Sequence, residues 1–140
     1  MLEVIRCGAV DADVVLRAAA LFDETPTPEF TAGFLASAGH HLLLALDGDT
    51  PVGFVTGVEI AHPDKRVEMF VYELGVDDDR RREGIATRLL EELAVLAAEL
   101  GCRGLWVLTE PDNAAALATY RRAGYATGDP TVLLDRPLET

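Results

Sequence analysis

Cysteine is scarce in this sequence, and so is positive charge. Its two cysteines, Cys7 and Cys102, stand far apart and in no metal-ligand spacing. That excludes a disulfide framework or a zinc site and fits a reducing, cytoplasmic setting. No apolar run reaches the roughly 18 to 20 residues that a membrane span needs. The opening MLEVIRCGAVDADVV carries acids among its apolar residues and lacks the basic start of a signal peptide. There is no internal repeat, no low-complexity tract and no linker, so residues 1–140 read as a single domain. Twelve basic residues face twenty-four acidic ones, a formal charge of −12. A field of that sign repels phosphate and excludes nucleic acid and anionic membrane as general partners. It attracts a cation.

Against so acidic a background the placement of the few basic residues is informative. Arg80, Arg81, Arg82 and Arg88 fall within nine residues. An acidic protein that gathers its arginines in one place has an anion to hold there.

Hydrophobic patterning gives a coarse order of elements. Residues 2–6 read as a strand, 11–22 as a helix capped by Asp11 or Asp13, and 29–37 as a short helix after the break at Pro26 and Pro28. Residues 41–46 and 52–60 read as a hairpin joined by a turn containing Asp47-Gly48, and 67–76 as the next strand. Residues 83–100 have helical spacing, with Ile85, Leu89, Leu93, Leu96 and Leu100 on one face and Gly101 as the stop. Residues 104–109 read as a buried strand containing Trp106 as a core residue, 113–123 as a helix, and 132–135 as a last strand; 125–128 could add another. An antiparallel start followed by alternating strands and helices predicts a mixed α/β sheet of six to seven strands, with about four helices on its faces.

The chemistry concentrates first at Val76-Asp77-Asp78-Asp79-Arg80-Arg81-Arg82-Glu83-Gly84-Ile85-Ala86, a strand end, a turn and a helix start. The first N–H groups of a helix have no intrahelical partner, and the helix dipole is positive there. Gly84 and Ala86 keep the backbone accessible, and arginines add charge-assisted bonds to phosphate. Together these predict a pyrophosphate cradle.

Arg81, Gly84 and Ala86 match Q/R-x-x-G-x-G/A, and here the chain resembles the GNAT superfamily of N-acetyltransferases. A second stretch, Asn113-Ala114-Ala115-Ala116-Leu117-Ala118-Thr119-Tyr120-Arg121-Arg122-Ala123-Gly124-Tyr125, is similar to the family's N-x-x-A-x-x-x-Y-x-x-x-G-F/Y. The resemblance spans residues 42–125. It implies acetyl-CoA as co-substrate, no metal, and a sheet whose fourth and fifth strands splay apart. It implies that Arg81, Arg82, Glu83, Gly84, Ile85, Ala86 and Thr87 surround the diphosphate. Main-chain groups of Leu74 and Val76 would pair with the pantetheine arm, and Asn113 would bond it. Tyr120 would protonate the departing thiolate; a phenol with pKa near 10 holds its proton at neutral pH yet can give it to a thiolate. The family often forms homodimers.

A narrower resemblance begins at Val71-Tyr72-Glu73-Leu74-Gly75-Val76 and continues through Arg81-Arg82-Glu83-Gly84-Ile85-Ala86-Thr87. It looks like the aminoglycoside 3-N-acetyltransferases, except that Glu73, Gly75 and Glu83 stand where aspartate, alanine and glutamine are usual. A polycationic small-molecule amine is the implied acceptor. An amine attacks only as its free base, so a carboxylate must take its proton, and Glu73 is the candidate base and substrate contact. Strict alternation puts Glu68, five positions earlier, on the opposite face. Glu110, Asp112 and Asp135 are further candidates for binding ammonium groups, as are Asp23, Glu24 and Glu29. His40 and His41 read as structural and His62 as loop. Acetylation of a protein N-terminus, a polyamine or another metabolite amine is the alternative activity. A non-catalytic acyl-CoA-binding module is the reading of a different class.

Overall fold

Residues 42–46 are buried without interruption, which a strand can achieve only if both of its faces are covered. In the computed structural model, which describes residues 1–139, they lie in β2 (His40–Asp47). β1 (Leu2–Arg6), β3 (Thr50–Ile60), β4 (Glu68–Val76) and β5 (Leu105–Val107) complete one sheet. Its order is β1-β2-β3-β4-β5. The first four strands are antiparallel, and β5 runs parallel to β4.

Four helices accompany the sheet: α1 (Ala12–Arg17), α2 (Pro28–Ala36), α3 (Ile85–Glu99) and α4 (Ala114–Arg122). Leu43 and Ala45 point to the α3 side, where they join Val55, Met69, Leu89 and Leu93. Leu42, Leu44 and Leu46 point the other way, onto Val15 and Ala18 of the α1 segment.

Several boundaries differ from the sequence reading. The segment 11–22 is a short α1 flanked by 3-10 turns at Ala9–Asp11 and Ala19–Leu21. The Asp11 carboxylate accepts from the Gly8 N–H at 2.7 Å instead of capping α1. Pro28, which stops one helix, starts the next: it occupies the first turn of α2, and Thr27 accepts from the Phe30 N–H at 3.1 Å. Leu100 is 40% exposed, because α3 closes before it, with Gly101 and Cys102 donating to the Ala98 and Ala97 carbonyls. Trp106 is not core: it is 38% exposed and stacks on Phe70.

The sheet has five strands, not six or seven. Among the described residues 125–128 and 132–135 join no ladder. Gly128 and Pro130 break the run, and Val132, Leu133 and Leu134 project into solvent.

β4 contains the irregularity that matters most. Glu73 pairs with Thr56 and Val71 with Gly57, so Tyr72 is an extra residue, a β-bulge. The bulge reverses the alternation. Met69 and Val71 pack on the α3 side before it, and Leu74 and Val76 pack on the same side after it. Glu68 and Glu73 therefore share the other face, contrary to the strict count.

Gly75, where the resembling enzymes carry alanine, sits on that face. A Cβ there would stand 2.7 Å from the Phe54 ring and 2.8 Å from the Leu21 carbonyl oxygen. The backbone contact cannot be relieved by a rotamer change. Gly75→Ala should cost about 1–3 kcal/mol as an overpacked site, read as a lower denaturant midpoint with unchanged m-value. A midpoint equal to wild type would show that the segment around Leu21 yields freely.

Candidate active site

β4 pairs with β5 only at Met69, Phe70 and Val71, then continues to Val76 while β5 ends at Val107. The two strands thus splay, leaving one edge of β4 open. Asp77 donates its N–H to the Val52 carbonyl on the β3 side at 2.9 Å. By alternation the main-chain groups of Leu74 and Val76 face the open edge.

The turn after β4 is held by its own acids. The Asp77 side chain accepts from the Asp79 N–H at 3.0 Å. The Arg80 guanidinium bonds Glu83 through Nε at 2.9 Å and Asp47 through Nη1 at 3.0 Å. The Arg80 contact and the chain's N-terminal ammonium hold the Asp47 carboxyl below its ordinary range, the ammonium hydrogen bond contributing most. Arg81 pairs with Asp78 at 2.7 Å and Arg88 with Glu92 at 3.3 Å. The cluster is therefore less available to an anion than its composition implies. Among the described residues, Arg82 alone of the four enters no ion pair, and its φ of 65° places it in the left-handed region.

Gly84 follows with φ 80° as the N-cap of α3, a conformation that glycine adopts without steric cost. It offers no capping side chain, so the first-turn N–H groups of Ile85, Ala86 and Thr87 receive no capping bond from it. A Cβ at Gly84 would meet nothing within 4 Å. The helix start is open to an approaching group.

On the opposite face of the sheet Glu73 is half-buried. Its N–H donates to the Thr56 hydroxyl at 3.0 Å, and that hydroxyl lies 3.4 Å from the Glu73 Oε1. Burial pushes the carboxyl above its ordinary value; the Thr56 bond works against the shift, and the charge of Asp23 adds to it. Glu73 and Thr56 line a cavity of about 310 Å³ with Phe22, Glu24, Phe30 and Phe34. The bland threonine at position 56 and these aromatics escape a sequence reading. The one available signal is a hydroxyl in the middle of the otherwise apolar run 52–58.

Tyr120, on α4, packs edge-on against Tyr125 with ring centroids 5.7 Å apart. Burial raises its phenol above the ordinary value. Asn113 caps α4: its Oδ1 accepts from the Ala116 N–H at 3.0 Å. Its amide donors remain for other use. Glu110 and Asp112 lie exposed between β5 and α4, and Asp135 lies in the exposed tail. None of the three lines the Glu73 cavity; Glu24 supplies its second acid.

The sequence pattern of the acetyltransferase (GNAT) family matches residues 12–125. The chain belongs to the GNAT family. Among curated relatives, the mycothiol acetyltransferase of Clavibacter sepedonicus is 40% identical over 84 residues, 60% of this chain and 26% of that protein. The ribosomal protein bS18-alanine N-acetyltransferase of Escherichia coli strain K12 is 34% identical over 58 residues, 41% of this chain and 39% of that protein. This GNAT chain thus spans well under two-thirds of the curated relatives it matches.

Among solved structures, an aminoglycoside acetyltransferase from an uncultured soil metagenomic sample, in complex with sisomicin, has a TM-score of 0.91. It is 20% identical, with 99% of this chain and 97% of that one covered, a likeness of fold alone. An aminoglycoside N-acetyltransferase in complex with CoA has a TM-score of 0.80 at 14% identity, covering 97% and 95%. GNAT enzymes use acetyl-CoA, and the open β4 edge and uncapped α3 are compatible with such a ligand. No group of three or more metal-ligating side chains occurs among the described residues, and no helix there is long and apolar enough to cross a membrane.

Two of the three histidines of this GNAT chain are held by acids. His41 Nε2 lies 2.7 Å from Glu59, and His62 Nε2 lies 2.8 Å from Glu68. His41 keeps the structural part expected of it. His62 lies in the loop between β3 and β4, as expected, and Glu68 anchors it there.

Proposed function

We propose that this chain is an acetyl-CoA-dependent N-acetyltransferase for a polycationic small-molecule amine, with an aminoglycoside, at its 3-amino group, as the acceptor that the β4 resemblance favours. One observation carries the reading. Glu73 is a half-buried carboxylate, raised by burial, on the floor of a cavity whose second acid is Glu24. It is on the strand whose far end borders the open edge.

Bound acetyl-CoA supplies the activated acetyl group. The main-chain groups of Leu74 and Val76 hold its pantetheine arm, and residues 81–87 with the amide of Asn113 hold the rest. Of the four arginines, Arg82 is the cation best able to meet the diphosphate. Glu73 takes the ammonium proton, directly or through water, and Tyr120 Oη holds the proton that a departing thiolate requires. The formal charge of −12 concentrates a multiply charged amine near the cavity. Glu110, Asp112 and Asp135 act at longer range in this scheme. Acetylation of a peptide N-terminus is the second reading, favoured by the likeness to the ribosomal-protein-alanine enzyme. A non-catalytic acyl-CoA binder would have no use for a raised carboxylate at Glu73.

Gly84→Glu tests the cofactor part. The new side chain would hold a negative charge at the open helix start and a strained φ of 80°. Titration calorimetry should show acetyl-CoA binding lost in a variant that keeps its circular dichroism. Unchanged affinity would place the diphosphate elsewhere.

A further inference from the structure

The cavity beside Glu73 measures about 310 Å³, at the bottom of the range of roughly 300 to 1,000 Å³ that drug-sized ligands occupy. It takes one ring of a multi-ring amine and leaves the rest outside. Where that rest can lie is set by β4 and β5. The buried cluster under α1 and α2 draws its strand residues from β1, β2 and β3. β4 and β5 carry aromatic side chains that lie outside it.

Met69 and Val71 pack on the α3 side, as do Leu105 and Val107. By alternation Phe70 and Trp106 point the other way, to the face that Glu73 shares. Their rings stack with centroids 4.4 Å apart, and Tyr72 leans on Phe70 at 5.7 Å. Tyr72 is 66% exposed and Trp106 38%. The strip begins at Tyr72, next in the chain to Glu73, and Glu68 closes its far end, held by His62 at 2.8 Å. The β3 partners of Glu73 and Glu68 are Thr56 and Ile60, four residues apart. At about 3.3 Å per residue the two acids therefore stand roughly 13 Å apart along the strand.

We propose that Phe70, Tyr72 and Trp106 form an outer subsite for the acceptor: the reacting ring enters the Glu73 cavity, and a second ammonium-bearing ring lies on the aromatic strip with its charge toward Glu68. The inference rests on the polycationic acceptor proposed above and adds the residues that select several linked rings over one. Exposed apolar surface continuous with a site marks a binding surface, and the charge pattern chooses its occupant. A sugar or aminocyclitol ring has an apolar C–H face to stack and ammonium groups that aromatic faces attract. A neutral apolar partner would have no use for an acid at each end. A single ring cannot reach both acids, whereas linked rings can.

The test compares sisomicin with 2-deoxystreptamine, its isolated central ring, as acceptors for the full chain with acetyl-CoA. Wild type should prefer sisomicin in kcat/KM. Trp106→Leu should shrink that preference about 3- to 30-fold, the weight of a cation over an aromatic face, through a raised KM for sisomicin. Trp106→Phe should restore most of it. Tyr72→Ser, at a mostly exposed side chain, should act in the same direction and serves if Trp106→Leu does not fold. Glu68→Gln should also raise the KM for sisomicin. Trp106 is the sole tryptophan, so its emission should shift as sisomicin saturates the CoA-bound protein. A preference that survives the Trp106 and Tyr72 substitutions overturns the inference. So does a loss confined to kcat, or emission indifferent to sisomicin at saturating concentration. In each of these cases wild-type turnover of sisomicin leaves the proposed function standing. A wild type that does not acetylate sisomicin overturns both together.

Discussion

Tyr120→Phe should leave acetyl-CoA affinity unchanged and lower kcat by about 10² to 10⁴-fold, the usual weight of a positioned proton donor. The substitution isolates chemistry from packing. Phenylalanine keeps the ring that meets Tyr125 edge-on, so the fold should survive intact. Burial holds the phenol above its ordinary value, so at neutral pH it keeps the proton that the proposed role requires. Tyr125→Phe is the matched control. Its hydroxyl is buried without a partner and is pushed up to about 12 by burial and by Tyr120. Removing it should cost no activity and leave stability equal or higher. Equal losses from the two variants would mean that the aromatic pair only shapes the site.

Glu73→Gln should lower kcat comparably, about 10² to 10⁴-fold, and displace the pH–rate profile to higher pH, where the free amine no longer needs a base. The sign follows from the raised carboxyl. A base works only when ionised, so wild-type activity should fall as pH drops through a Glu73 value above the usual carboxylate range. The Thr56 hydroxyl bond lowers that value. Thr56→Val removes it and should move the acid limb further upward. The same change leaves the Glu73 N–H without its 3.0 Å partner and should cost about 1–3 kcal/mol of stability. An acid limb that stays in place in both variants would assign it to another group.

The turn and helix start after β4 were legible in the sequence because backbone geometry writes itself into residue type. A left-handed cap demands Gly84, a helix start follows, and Ile85, Leu89 and Leu93 mark the buried face of α3. The acceptor side was much less legible. Glu73 stood out as an acid in an apolar strand, but its neighbours come from α1, α2 and β3, brought together by packing that no local pattern encodes. The bulge at Tyr72 is a single extra residue with no composition of its own, yet it decides which acids share a face. Counting arginines misled in one respect: Arg80 is spent on Glu83 and Asp47, partners that charge counting does not reveal. The tail misled differently. Residues 132–135 have the composition of a strand, yet in the single chain they join no ladder.

Turnover with acetyl-CoA, read as free-thiol release, tests the central claim most directly when the acceptor and the salt are varied together. Sisomicin, a polyamine, a basic peptide and a monocationic amine serve as acceptors. The account predicts that the aminoglycoside gives the highest kcat/KM. That value should fall steeply toward 1 M salt, where the Debye length shrinks to about 3 Å, while the KM for acetyl-CoA does not rise in parallel. Mass spectrometry of the product should show one added acetyl on the 3-amino group. Faster turnover of the monocationic amine than of any aminoglycoside, indifferent to salt, would contradict it.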